Sequence, residues 1–155
     1  MDISRLLPAS HTIVNLECSS RQDAVAQLIK PLVDTGIIQD QDEFADNVEA
    51  REQQITTVIG NGVAIPHART KVANRLGLSV GLLPEGKTVQ FSDDPEVEPV
   101  NIIFLIAIPS FAPASHLPLL QHLAKFVRYD KKLAKLLKSK TPAAASKYLI
   151  SFNAK

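Results

Sequence analysis

The stretch Val100-Asn101-Ile102-Ile103-Phe104-Leu105-Ile106-Ala107-Ile108 is almost continuously apolar. A strand with one wet face alternates apolar and polar residues, whereas a strand covered on both faces does not. The run is far shorter than the ~20 residues a membrane span needs. It is therefore read as the central strand of a sheet with helices packed on either side.

Working outward from it, Thr12-Ile13-Val14-Asn15-Leu16, Thr56 to Ile59 and Leu78 to Leu83 are strand-like, and Thr88-Val89-Gln90-Phe91 reads as a short edge strand. Pro84-Glu85-Gly86 marks a turn. Ser19 and Ser20 offer an N-cap to a helix carrying Ala24, Val25, Leu28, Ile29, Leu32 and Val33, with Gly36 at its close and Pro31 as a possible kink. Asp40 and Glu43 resemble a capping box for a second helix, on which Phe44, Val48 and Arg51 share a face. After Pro113 the period becomes helical through His116, Leu119, Leu120, Leu123, Ala124 and Val127, and further helices are expected over Asp130 to Leu137 and from Thr141-Pro142 through Leu149. Strands interleaved with helices predict an α/β layered fold.

The chain has 155 residues, which suits a single domain over 1–155. A formal net charge of +1 argues against a surface built throughout for nucleic acid or anionic lipid. The one cysteine, Cys18, has no partner for an internal disulfide and is read as a small buried residue of a protein in a reducing compartment. The N-terminal sequence lacks a signal-peptide pattern, so a cytoplasmic protein with no direct membrane insertion is expected.

Chemistry points to Gly60-Asn61-Gly62-Val63-Ala64-Ile65-Pro66-His67-Ala68-Arg69. Two glycines permit unusual backbone or close approach, and Pro66 pushes Ile65 towards extended geometry. Together they would hold His67 on a stiff mount at the end of a short strand. An ordinary Pro-His turn is the plainer reading. The other histidines, His11, His116 and His122, show no metal-ligand spacing, and no nucleophile elbow, phosphate loop or dinucleotide fingerprint is present. No metal or organic cofactor is implied. What remains for His67 is nucleophilic chemistry by the neutral imidazole.

The GNGVAIPHAR stretch resembles the active-site segment of the enzyme IIA domains of the mannitol/fructose class. These belong to the phosphoenolpyruvate-dependent sugar phosphotransferase system, and the nitrogen-regulatory IIA branch is in the same class. Ala50-Arg51-Glu52, Phe91, Pro99-Val100-Asn101-Ile102-Ile103-Phe104 and Ala114-Ser115-His116-Leu117 fit the same pattern in order and spacing over about residues 5 to 150. The resemblance implies a mixed β-sheet flanked by helices on both faces. It implies that His67 accepts a phosphoryl group through Nε2 from the phosphocarrier HPr and passes it to a IIB domain. It also implies that His116, at a helix start, steadies that group, and that Arg51 is a possible clamp on it. In the nitrogen-regulatory branch the partners would be regulatory proteins. Ala68 departs from the family's usual glycine. Arg69 faces an acidic partner or solvent, His11 and His122 are read as structural or surface residues, the acidic loop Asp93 to Glu98 as solvated, and Lys131, Lys132, Lys135, Lys138 and Lys140 as a solvated basic face.

Overall fold

A computed structural model describes residues 2–152. One mixed sheet contains β1 (Thr12–Ile13), β2 (Val58–Gly60), β3 (Val63–Ala64), β4 (His67–Thr70), β5 (Gly77–Leu82) and β6 (Ile102–Pro109). The order is β1-β5-β6-β3-β2, with β4 also paired to β6. β6 runs antiparallel to β5 and parallel to both β3 and β4, so β3 and β4 form one broken strand along the same edge of β6.

The apolar run behaves as its composition predicts. Every residue of β6 is buried. Ile103, Leu105 and Ala107 face α1 (Arg21–Asp34) and α2 (Gln41–Gln54), while Ile102, Phe104, Ile106 and Ile108 face α3 (Leu117–Val127), α4 (Asp130–Leu137) and α5 (Pro142–Ser151). Two apolar layers on one strand give helices on both faces of the sheet. The small residues of β5 set how closely α1 approaches. A Cβ at Gly81 would fall 2.6 Å from Leu16 Cδ2, and one at Gly77 would fall 2.9 Å from Ile37 Cγ2.

The helices start where their caps lie. Ser20 accepts from the Asp23 N–H, Asp40 from that of Glu43, and Thr141 from that of Ala144. Pro31 sits inside α1 without ending it. Several expected strands are shorter than their sequence suggests. The first ends at Ile13, because Asn15 takes a positive φ of 54°, although Leu16 still donates to Leu82 across 2.8 Å. Thr88–Phe91 contributes only the single bridge Val89 to Val100.

The acidic loop is not wholly solvated. Arg21 is 5% exposed and donates to both Glu49 carboxylate oxygens, at 3.1 and 2.6 Å. It also donates to the Phe91 carbonyl and, at 3.0 Å, to Asp93. The basic face is organised as well. Lys132 lies over the Tyr129 and Phe152 rings and Lys135 over Tyr148, so their stems cover aromatic surface.

Candidate functional site

His67 opens β4 rather than closing a strand, immediately after the break at Ile65-Pro66. The break is local: the Pro66 carbonyl still accepts from Ile106, and His67 is already in register with it. Upstream, Gly60, Asn61 and Gly62 all have positive φ and turn the chain tightly from β2 into β3. The turn is anchored by Asn61, which donates to the Val127 carbonyl at 2.8 Å, and by the Gly62 N–H, which donates to Glu98 at 2.9 Å. The Gly62 carbonyl receives the N–H groups of Asn101 and Ile102. The glycine-rich turn thus locks the edge of β6 that carries the histidine.

The His67 ring is half-buried, and its Nδ1 lies 2.8 Å from the Ile65 carbonyl. A carbonyl only accepts, so Nδ1 carries the proton and Nε2 keeps its lone pair. Burial lowers the proton affinity of His67, and the charges of Arg51 and Arg69 lower it further. The Ile65 bond and the Glu52 charge oppose this. The result is a neutral imidazole at neutral pH with a fixed tautomer.

His116 is the cap residue preceding α3, as expected, and is 4% exposed. Its ring stacks near that of His67, with centroids 5.9 Å apart and planes 27° apart. Its side chain makes no capping bond, and its Nδ1 is buried without a partner. Burial is the main cause holding its proton affinity down, followed by His67 and Arg69.

Arg51 is half-buried near the end of α2, where its Nη1 donates to the Ile55 carbonyl at 2.7 Å. This bond satisfies a helix-end carbonyl and leaves most of the guanidinium's five N–H donors for other acceptors. Glu52 beside it is buried and accepts from the Thr56 hydroxyl at 2.7 Å, the Thr57 N–H at 2.9 Å and the Thr57 hydroxyl. It holds the segment leading into β2.

Sequence reasoning left Arg69 open to solvent or an acidic partner. Arg69 is exposed, in keeping with the solvent reading, and it lies two residues from His67 on the same face of β4, where its Nε also donates to the Pro113 carbonyl at 3.0 Å. Ala68 pairs with Ala107 and is buried against the α1 and α2 layer, so the usual glycine is not needed for strand geometry here. The remaining histidines lie apart. His11 bonds to the Leu6 and Leu78 carbonyls and to Thr35, whereas His122 is buried against Phe152 with both ring nitrogens unpartnered. Both are structural rather than surface residues. Among the described residues no cluster of His, Cys, Asp or Glu is placed to hold a metal ion, and no helix is long and apolar enough to cross a membrane.

Exposed apolar side chains occur on the segments that carry the site residues. Ile55 is 67% exposed beside the Arg51 contact, Leu117 is 47% exposed next to His116, and Phe111 is 75% exposed on the loop that Arg69 holds. Ile59 is also exposed, along a shallow groove shared with Ile65, Leu120, Ala124 and Arg128.

The pattern of the Phosphoenolpyruvate-dependent sugar phosphotransferase system, EIIA 2, matches residues 5–151. The chain belongs to that family. It is 27% identical over 140 residues to the fructose-specific EIIA component of the phosphotransferase system of Haloferax volcanii, covering 90% of this chain and 89% of that protein. It is 28% identical to the fructose-specific EIIABC component of Bacillus subtilis over 93% of its own length, but it spans only 22% of that larger protein. Among solved structures it is similar to the nitrogen regulatory protein IIA-Ntr from Neisseria meningitidis, with 25% identity, a TM-score of 0.83, and 95% of this chain and 98% of that chain covered.

Proposed function

We propose that this EIIA-family chain is a phosphocarrier that takes a phosphoryl group from phospho-HPr on His67 Nε2 and passes it to a IIB domain. The observation that carries the reading is the His67 Nδ1–H to Ile65 bond, which leaves Nε2 as the free nucleophile. In the forward step the Nε2 lone pair attacks phosphorus in line. The donor's P–N bond breaks, and its electron pair returns to the donor ring. Nδ1 keeps its proton, so the phosphorylated ring is cationic and the Ile65 carbonyl stabilises it. When a IIB nucleophile attacks, the same ring leaves as neutral imidazole, with no proton to relocate on His67. Phosphoryl transfer needs positioning and charge stabilisation more than covalent assistance. His116, at the N-terminal end of α3, supplies a donor opposite His67, and Arg51 is a charged clamp within the same field. The exposed apolar side chains suit a protein donor and a protein acceptor.

The test is intact mass after incubation with phosphoenolpyruvate, enzyme I and HPr. Wild type gains one acid-labile phosphoryl group and His67→Ala gains none. Equal uptake by His67→Ala sinks the assignment.

The likeness to IIA-Ntr favours a second reading, in which the phosphorylation state of His67 controls binding to regulatory proteins and no sugar is moved. Onward transfer separates the two. Passage of the label to a IIB domain supports transport. A stable phosphorylated form that changes its protein partners supports regulation.

A further inference from the structure

The segment between β6 and α3 carries His116 but has little to fix it. Its own bonds are short turns: Ala112 N–H to Pro109, Ser115 N–H and hydroxyl to Ala112, and Leu117 N–H to Ala114. The Ser110 N–H ties its start to the Thr70 carbonyl of β4. The cap residue His116 gives no side-chain bond to the helix, and its Nδ1 finds no partner. The side chain that reaches the middle of this segment from β4 is Arg69, through Nε to the Pro113 carbonyl at 3.0 Å. One hydrogen bond therefore spans from the strand that begins with His67 to the loop that ends with His116. The two amino groups of Arg69 make no hydrogen bond within the chain among the described residues, and the guanidinium charge acts on both imidazoles.

We propose that Arg69 is a further residue of the transfer site: its Nε holds Pro113 so that His116 stays opposite His67, and its two amino groups bind the oxygens of the phosphoryl group carried on His67 Nε2. The assignment rests on the phosphocarrier reading above. It uses the planar fork of arginine for two tasks at once, because the Nε and amino donors point along different edges of the guanidinium. No bond is made or broken by Arg69. Its contribution is position and positive charge where the transferring oxygens gather negative charge. Lysine keeps the charge, but its donors radiate from one nitrogen and do not reproduce the spread of the fork between Pro113 and the phosphoryl oxygens.

Single-turnover transfer from phospho-HPr to wild type, Arg69→Lys and Arg69→Gln, at varied donor concentration, tests this. Arg69→Gln is expected to lower the maximal rate about 100- to 1,000-fold, as for loss of one preorganised donor, with the apparent KM changed less than about twofold. Arg69→Lys is expected to fall between it and wild type. A raised KM with an unchanged maximal rate makes Arg69 a docking residue and overturns the proposal, as does a wild-type rate in Arg69→Gln. Histidine ring titrations by NMR on the unphosphorylated proteins give an independent reading. The midpoints of His67 and His116 should rise in Arg69→Gln while those of His11 and His122 stay in place. Unmoved midpoints at His67 and His116 also overturn it. Wild type and His67→Ala run alongside. If wild type itself takes no label, the phosphocarrier reading has failed, and the titrations still judge the Arg69 link.

Discussion

His67 gives its Nδ1 proton to the carbonyl of Ile65, two residues back along its own chain, across 2.8 Å. The acceptor lies on the break between β3 and β4, where Pro66 has no N–H and the strand pairing lapses. A carbonyl that would otherwise join a ladder instead fixes an imidazole tautomer. Nitrogen-15 NMR of the imidazole at neutral pH should therefore show a protonated Nδ1 and an unprotonated Nε2, and the phosphorylated protein should carry its phosphorus on Nε2. Phosphorus on Nδ1 would contradict the geometry.

The same ring sets a pH dependence. Burial first, then Arg51 and Arg69, lowers the His67 proton affinity, so the reactive neutral form persists below the usual histidine range of about 6.5. The rate of phosphoryl acceptance should stay flat from neutral pH down through that value and fall only at more acid pH. A midpoint above the ordinary histidine value would contradict the burial argument.

Arg21 is a multidentate electrostatic tie outside the site. It joins α1 to Glu49 of α2, and reaches the Phe91 carbonyl and Asp93 on the loop before β6. Removing it orphans a buried carbonyl and releases Glu49, whose proton affinity the Arg21 bond holds down. Arg21→Met should cost about 1–3 kcal/mol in urea unfolding, while leaving uptake by His67 intact once the protein is folded. A change below about 0.5 kcal/mol, the range of ordinary surface substitutions, would mean that the network adds nothing net.

At the two small residues flanking the site, adding a methyl to one and removing one from the other should both weaken the fold. Gly62 has a φ of +75°, and a Cβ there would come 2.9 Å from Asn101 Oδ1, so Gly62→Ala should destabilise by about 1–3 kcal/mol. Ala68 is buried in strand geometry, so restoring the family's glycine should also weaken the fold, by about 1–2 kcal/mol through a lost methyl and a freer unfolded backbone. Thermal or urea unfolding of both variants checks this. An Ala68→Gly protein more stable than wild type would show that β4 is strained by the alanine.

All four histidines have lowered proton affinity, each chiefly through burial. The unfolded chain then binds protons more readily than the native one. Stability is full above the unfolded value of about 6.5 and declines as the pH falls through it towards the lower native values. His122 contributes without compensation, since neither ring nitrogen has a partner and its ring packs against Phe152. His122→Leu should make the unfolding midpoint less sensitive to pH between about 6.5 and 5 and should not reduce stability at pH 5. An unchanged slope would mean that His122 takes up its proton alike in the native and unfolded states.

Much of this protein was legible before folding. The apolar run of β6 named the central strand, because only a strand covered on both faces can be apolar at every position. Ser20, Asp40 and Thr141 announced their helices, because capping is a matter of residues within one turn. GNGVAIPHAR singled out His67, because positive φ and proline are local constraints. The partnerships across the chain were not legible. Nothing in the spacing of Arg69 and Pro113, or of Arg21, Glu49 and Asp93, says that they meet. The family resemblance did pair His116 with His67, but residue type and spacing alone do not distinguish it from His122, which closes an aromatic core. Local sequence determines backbone preference and which side of an element is apolar. Which polar groups face one another depends on how the sheet and its two helical layers close, and that is decided only when the whole chain packs.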